Sequence, residues 1–320
     1  MILSVGLSPA WQKILLFDRV RNGQVNRARV AKWCASGKVF NAGIAVHTLG
    51  GPGLILAPVG GPAQEAMTEE LRALGVEHRF IGTKAATRVC TTIIEEATGS
   101  ITELVEEGAP LSSDELERFH EAYREESKRA RVVLAMGSLP QGTPVSFYRT
   151  LLRETPCPIV LDFRGEGLLS VLDLNPLVVK PNREELEKTV GYPLPGDRAL
   201  QDAMRSLNGK GAQWVVVTEG AGPIWVSSAT EIYRIRPSPM AAGQVVNPIG
   251  SGDAMAGAMA REIGNRIMAT GMIGNGMFMV EAVRYGIVAA RQNVRQLLPC
   301  RLDPTTLMAE ASKVTVERLE

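Results

Sequence analysis

The feature that most limits how this chain can fold is a regular alternation of short, almost wholly apolar runs with longer segments of helical periodicity. Residues 2–7, 54–59, 132–136, 159–163, 177–180 and 214–218 read as strands with no wet face. Such strands must be covered on both sides, which is the condition of a parallel sheet between two helical layers. The stretches 38–49, 63–74, 144–154, 182–190 and 198–208 supply helices. Another helix opens with Ser112 and Glu115 in capping-box spacing, each side chain placed to satisfy the other's orphan amide. Its Leu116, Phe119 and Tyr123 fall on one face. The alternation predicts right-handed crossovers and a doubly wound α/β domain. A chain of 320 residues can bury one such core, so a single domain over 1–320 is expected.

Two excursions interrupt the pattern, approximately 12–34 and 76–107. Within them 88–95 and 101–106 alternate polar with apolar residues and leave no room for crossover helices. Alternation of that kind fits a small separate β-sheet with one wet face. It reads as a lid over one edge of the main domain, with a dimer interface or a plain insertion as the alternatives.

Composition removes several function classes. Lys and Arg number 35 against 34 Asp and Glu, a net charge of +1, without the basic excess of a general nucleic-acid binder. There is no apolar run of membrane-spanning length, and the late stretch 271–290 is broken by Glu281 and Arg284. The first residues lack a basic signal-peptide start, so a cytoplasmic location is expected. Cys34, Cys90, Cys157 and Cys300 are scattered and read as reduced thiols. His47, His78 and His120 have no zinc-ligand spacing.

The strongest chemical signal is Asn247-Pro248-Ile249-Gly250-Ser251-Gly252-Asp253, which runs into Ala254-Met255-Ala256-Gly257-Ala258. This is a glycine turn feeding a helix of small residues, whose face leaves space for a flat or bulky ligand. Unpaired amides and the dipole at a helix start favour an anion, and Asp253 would stand beside it. Amides that stabilise a transferring group, next to a carboxylate that takes a hydroxyl proton, suit phosphoryl transfer. The plain alternative is a helix start with an acid favourable to its dipole. Neither G-x-x-x-x-G-K-[ST] nor a strand followed by G-x-G-x-x-G occurs, so the two common nucleotide loops are absent.

In this context the segment 247–253 resembles the G-[AS]-G-D signature of the ribokinase-like (PfkB) carbohydrate kinases. Three further pieces follow the family's order: Gly137-Ser138-Leu139-Pro140-Gln141-Gly142, Lys180-Pro181-Asn182 with Glu185, and Thr218-Glu219-Gly220-Ala221-Gly222. The opening Met1-Ile2-Leu3 with Leu7-Ser8-Pro9-Ala10, then Val25-Asn26-Arg27 and Thr87-Arg88-Val89-Cys90, is most similar to the 1-phosphofructokinase and tagatose-6-phosphate kinase branch.

That resemblance implies a ribokinase-like fold, ATP and Mg²⁺ as cofactors, and transfer of the γ-phosphoryl group to a hydroxyl of a ketohexose monophosphate. It makes Asp253 the general base and the amides of Gly250, Ser251 and Gly252 the anion hole. Lys180, Asn182, Glu185, Thr218, Gly220 and Gly222 would line the ATP and magnesium path, with Asn293 near adenine. Glu185 would reach magnesium through water. Gln12, Arg27, Gly37, Lys38, Asn41, Arg88 and Ser138 would hold the sugar phosphate. For Lys180 to Asn182 the plain alternative is a strand end with an N-cap, and for both arginines a solvated lid face. The resemblance also implies a homodimer through the lids. No nucleic-acid or membrane partner is expected.

The sugar end departs from the family. Gln12 stands in Ser8-Pro9-Ala10-Trp11-Gln12 where an aspartate is usual, and Ser36-Gly37-Lys38-Val39-Phe40-Asn41 replaces G-G-K-G-x-N. An amide both donates and accepts where a carboxylate only accepts, and Val39 adds a branched side chain towards the ligand. These changes predict an altered acceptor preference. A kinase of another sugar or of a nucleoside, or a non-catalytic sugar-phosphate sensor, remain as alternatives.

Overall fold

Side-chain alternation along the strands sorts the core into layers. The computed structural model describes residues 1–241, 243–272 and 276–320. Residues 273–275, inside the late apolar stretch 271–290, lie outside the described residues. The chain runs β1 (Ile2–Val5), β2 (Ala10–Phe17), β3 (Val30–Ser36), α1 (Lys38–Thr48), β4 (Gly53–Gly60), α2 (Ala63–Leu74), β5 (Glu77–Thr83), β6 (Val89–Glu95) and β7 (Ser100–Val105). It continues with α3 (Ser113–Ser127), β8 (Val132–Met136), α4 (Ser146–Arg153), β9 (Ile159–Asp162), α5 (Gly165–Leu169), β10 (Val178–Val179), α6 (Arg183–Val190) and α7 (Asp197–Gly209). The remainder is β11 (Trp214–Thr218), β12 (Ile224–Ser227), β13 (Ile232–Arg236), α8 (Ser251–Thr270), α9 (Gly276–Asn293), α10 (Leu307–Ala311) and β14 (Thr315–Arg318).

The large sheet has the order β14-β13-β12-β11-β10-β9-β8-β1-β4-β5. It is parallel from β11 to β5 and antiparallel beyond β11. Leu3, Val5, Val133, Ala135, Val215 and Val217 face α3, α4, α6 and α7 through Phe119, Tyr123, Leu151, Leu186 and Met204. Their neighbours Ile2, Val132, Leu134 and Val216 face the opposite layer, through Ala42 and Val46 of α1 and Met255, Met259 and Val283 of α8 and α9. Both faces are covered, as continuously apolar strands require. The capping box forms as read, with Ser112 accepting the Glu115 amide and Glu115 accepting that of Ser112.

A second sheet, β3-β2-β6-β7, stands apart. It confirms the small separate sheet but not all of its expected content. Residues 77–83 belong instead to the large sheet, paired parallel with β4 at its edge. An edge strand is half wet, so its alternation looks the same in sequence as that of a separate sheet. The β12-β13-β14 extension is also absent from the sequence reading. Among the described residues no helix is long and apolar enough to cross a membrane, and the four cysteines are free.

Candidate active site

Helix α8 begins where the polypeptide must turn sharply. Gly250 has φ 83°, and a Cβ there would lie 2.9 Å from Pro299 Cβ, so glycine is needed for both backbone angle and space. Asn247 stabilises the turn: its carbonyl oxygen accepts the Ile249 amide at 3.0 Å and its NH₂ reaches the Leu297 carbonyl at 2.9 Å. The Ser251 amide is already spent on the Pro248 carbonyl, at 3.1 Å. Among the described residues the amides of Gly250, Gly252 and Asp253 have no acceptor, so the open set differs from the expected one by exchanging Ser251 for Asp253. The small side chains of α8 serve another purpose than the one read from sequence. A Cβ on Gly257 would meet Ala42 O at 2.7 Å, so the bare surface brings α8 tightly onto α1 and leaves no room there for a ligand.

That close packing aligns the first turns of the two helices. Asn41 of α1 donates to Asp253 Oδ2 at 2.8 Å and accepts from Ser36 Oγ at 3.1 Å. Asp253 Oδ1 has no partner among the described residues. Burial and the nearby Asp162 push the Asp253 carboxyl up to about 6, against the pull of Lys38, Asn41 and Lys180. Gly37, with φ 85°, begins α1 where a Cβ would lie 2.9 Å from Ser8 O. One residue on, Lys38 Nζ contacts Asp162 Oδ1 at 2.7 Å and Glu185 Oε1 at 3.2 Å. Burial opposes the charge on Lys38, but Asp162, Asp253 and Glu185 outweigh it and raise its pKa.

Asp162 is the residue that sequence reading missed. It is buried between two ammonium groups, with Lys180 Nζ 2.9 Å from Oδ2 and Lys38 on Oδ1. Burial works against its charge, yet Lys180 and Lys38 hold its carboxyl below the usual aspartate range. Its signal was present: it is the one charged residue at the end of the apolar run 159–163. Lys180 Nζ lies 3.7 Å from the place a Cβ would take on Gly252, which brings a buried cation to the open amides.

The Lys180 to Glu185 segment is both a cap and a site wall. Asn182 accepts the Glu185 amide at 2.7 Å and Glu185 Oε2 accepts the Asn182 amide at 3.0 Å, a second capping box. Thr218 bridges to Asn182, and beyond it Gly220 (φ 58°) and Gly222 form a turn closed onto the Glu219 carbonyl at 2.8 Å. Both Glu185 oxygens are engaged by protein donors, and so are both Asp162 oxygens. This donor set fits magnesium held through its own waters and not by direct ligation.

The other expected positions surround this group, and some are committed to protein partners. Asn293 is fully buried, donating to Ile249 O at 2.9 Å and accepting the Cys300 amide at 2.7 Å, so it braces the glycine turn and does not face adenine. Arg88 spreads its guanidinium over the carbonyls of Pro9 (3.2 Å), Glu106 (3.1 Å) and Ser8 (3.4 Å), pinning the small sheet to the β1–β2 link. Arg27 is exposed on the β2–β3 loop with no partner among the described residues. Ser138 is exposed and its carbonyl accepts from Ser8 Oγ at 2.8 Å. Gln12 is buried on the inner face of the small sheet, its NH₂ on Thr92 Oγ1 at 2.6 Å. Val39 is core, packed among Phe40, Ile44 and Ala45 and against Gly6, so it does not project towards a ligand.

Among solved structures, the chain is similar to a possible 1-phosphofructokinase from Thermotoga maritima, with 22% identity, TM-score 0.87, and coverage of 100% of this chain and 99% of that one. Phosphofructokinase-2 from Escherichia coli in complex with fructose-6-phosphate matches with 23% identity, TM-score 0.84 and coverage of 98% and 99%. Ribokinase from Giardia lamblia matches with 15% identity, TM-score 0.80 and coverage of 96% and 98%. These likenesses define the class of fold, ribokinase-like α/β with a small additional sheet. The pfkB family carbohydrate kinase model matches residues 13–305, and the chain belongs to that family. It is therefore a sugar kinase, for which the family implies ATP as substrate and typically Mg²⁺.

Proposed function

We infer that the chain transfers the γ-phosphoryl group of ATP to a hydroxyl of a ketohexose monophosphate, as a 1-phosphofructokinase or tagatose-6-phosphate kinase does, with Asp253 as general base. The observation that carries this reading is the buried Asp253 carboxylate, one oxygen held by Asn41 and the other open, beside unpaired amides and Lys180. With its pKa pushed up to about 6, Asp253 is ionised at neutral pH yet basic enough to take the acceptor proton. The amides of Gly250, Gly252 and Asp253 receive the charge of the transferring group, and Lys180 adds a fixed cation. Magnesium, when bound, neutralises charge on the ATP phosphates. Asn182, Glu185, Thr218, Gly220 and Gly222 form the wall along which the nucleotide lies, and Lys38, expected on the sugar side, joins that wall to it through Asp162 and Glu185.

Similarity to phosphofructokinase structures supports a phosphosugar acceptor. Arg88 lies at the β1–β2 link beside Gly37 and is the nearer of the two arginines for its phosphate, whereas Arg27 stands on the β2–β3 loop at the far end of these strands from Ser36. A second reading has its own support. Gln12 is tied to Thr92 and Arg88 to backbone, which favours an acceptor different from those of the phosphofructokinases, another sugar or a nucleoside. The small sheet leaves Trp33 and Leu104 exposed on its outer strands, consistent with a homodimer through this sheet. ADP release measured over a panel of sugars, sugar phosphates and nucleosides tests the acceptor. Turnover only with unphosphorylated acceptors would overturn the phosphosugar assignment, and no turnover with any would favour the sensor.

A further inference from the structure

Helix α2 contributes a carboxylate that the reaction just described does not use. Glu70 Oε2 accepts the backbone amide of Ala35 at 2.6 Å, and Oε1 accepts from the Arg301 guanidinium. The Arg301 and Glu70 side chains are only 17% and 21% exposed, so this is not a solvated surface pair. Both ends of the contact lead to the site. Ala35 precedes Ser36, whose hydroxyl holds Asn41, which in turn holds Asp253. Arg301 also donates to the Pro299 carbonyl at 3.1 Å, and the Pro299 ring stands against Gly250.

The residue between them makes the same connection. Cys300 sits at φ 59°, unusual for a residue with a side chain. Its amide is held by Asn293 and its thiol lies 3.6 Å from the Gly250 carbonyl. Just upstream, Leu297 and Leu298 pack against Ile14, Cys34 and Ile94 on the inner face of the small sheet. Segment 297–301 is thus wedged between the small sheet and the glycine turn, and Glu70 joins its far end back to β3.

We propose that Glu70 is a positioning residue for phosphoryl transfer: with Arg301 it fixes how the first turn of α8, from Gly250 to Asp253, stands against Asn41 of α1 and strand β3. The proposal deepens the function assigned above and rests on it. Glu70 acts through Ala35 and Arg301 and touches no reacting atom. Only an ionised carboxylate suits the place, because it accepts from two donors at once, whereas glutamine would turn its own NH₂ towards one of them. A displacement of about 1 Å at the reacting groups lowers a rate by up to about a hundredfold.

The test compares Glu70→Gln, Arg301→Met and the double variant, each assayed with ATP and the best acceptor well below its own melting temperature. Each single variant should lose about tenfold or more in kcat, with the KM for ATP within about twofold of wild type. The double variant should be no worse than the poorer single one, since both changes break one chain of contacts. Wild-type kcat in Glu70→Gln, losses that multiply in the double variant, or an equal rise in the ATP KM would each overturn the proposal. If Arg301→Met does not fold, Arg301→Lys keeps the charge but not both contacts, and it should show an intermediate kcat; full activity there counts against the idea. Asp253→Asn run in parallel separates the two levels. An active Asp253→Asn sinks the assignment of the base, whereas an inactive one beside a fully active Glu70→Gln sinks only the positioning role.

Discussion

On the main-sheet side of the site, Lys38, Asp162, Lys180, Glu185 and Asp253 sit in one buried or half-buried group, each held by an ion pair or hydrogen bond. On the small-sheet side Arg27 is exposed, Arg88 is spent on backbone carbonyls, and Gln12 is bonded to a neighbouring strand. The charges of the first region hold one another in place. The second holds its polar groups for its own architecture, apart from Arg27. Pre-organised charge is what transfer of a phosphoryl group needs, because no reorganisation is then required at the transition state. Acceptor recognition has no such demand.

The largest effect that would break this contrast is on Asp253. Asp253→Asn should lower kcat by about a hundredfold or more, as loss of a general base does, with little change in ATP affinity. In the wild type, kcat/KM should fall on the acid side with an apparent pKa near 6. The sign for stability is opposite to the usual carboxylate. A folded pKa raised above the ordinary 3.8 means that the ionised group costs stability above about 6 and costs nothing well below the ordinary value. Thermal melts across pH should therefore find Asp253→Asn more stable than wild type at neutral pH, with the gain fading in acid.

Next in size is Asp162→Asn. Removing the carboxylate takes from Lys180, 3% exposed, its ion-pair partner, with only the more distant Asp253 left to offset the buried cation, at a cost of up to about 3–5 kcal/mol. A denaturant midpoint unchanged from wild type would show that the main-sheet charges are not assembled as one unit. A smaller effect is expected at Arg88. Arg88→Ala should lower the melting temperature through its lost backbone contacts and raise the acceptor KM more than Arg27→Ala does, which steady-state kinetics on both variants will decide. The smallest is at Gln12. Gln12→Asp loses the donor to Thr92 and should shift the ratio of kcat/KM between acceptors by about tenfold or less, leaving the ATP KM unaltered. Pairing it with Val39→Gly would only confuse the result, since Val39 is core and its loss opens a cavity.

Much of this was legible in the linear chain. The parallel strands, the helices 38–49, 63–74, 182–190 and 198–208, and the capping box at Ser112 depend on local periodicity and caps, which act over a few residues. The glycine turn before Asp253 is equally local, since only glycine takes φ 83° there at no cost. Contacts across many residues of sequence were not legible. Asp162 meets Lys38 across 124 residues, Asn41 meets Asp253 across 212, and Glu70 meets Arg301 across 231. Likewise β5 went to the large sheet because β4 was its available neighbour, and Val39 went to the core because α1 turns that way. Sequence by itself determined the class of fold and the local shape of the helix starts, because backbone preference and hydrophobic period are local. Tertiary structure alone decided which charges neutralise one another and which arginine stays open, because packing α8 onto α1 and folding 297–301 against the small sheet brings those groups together.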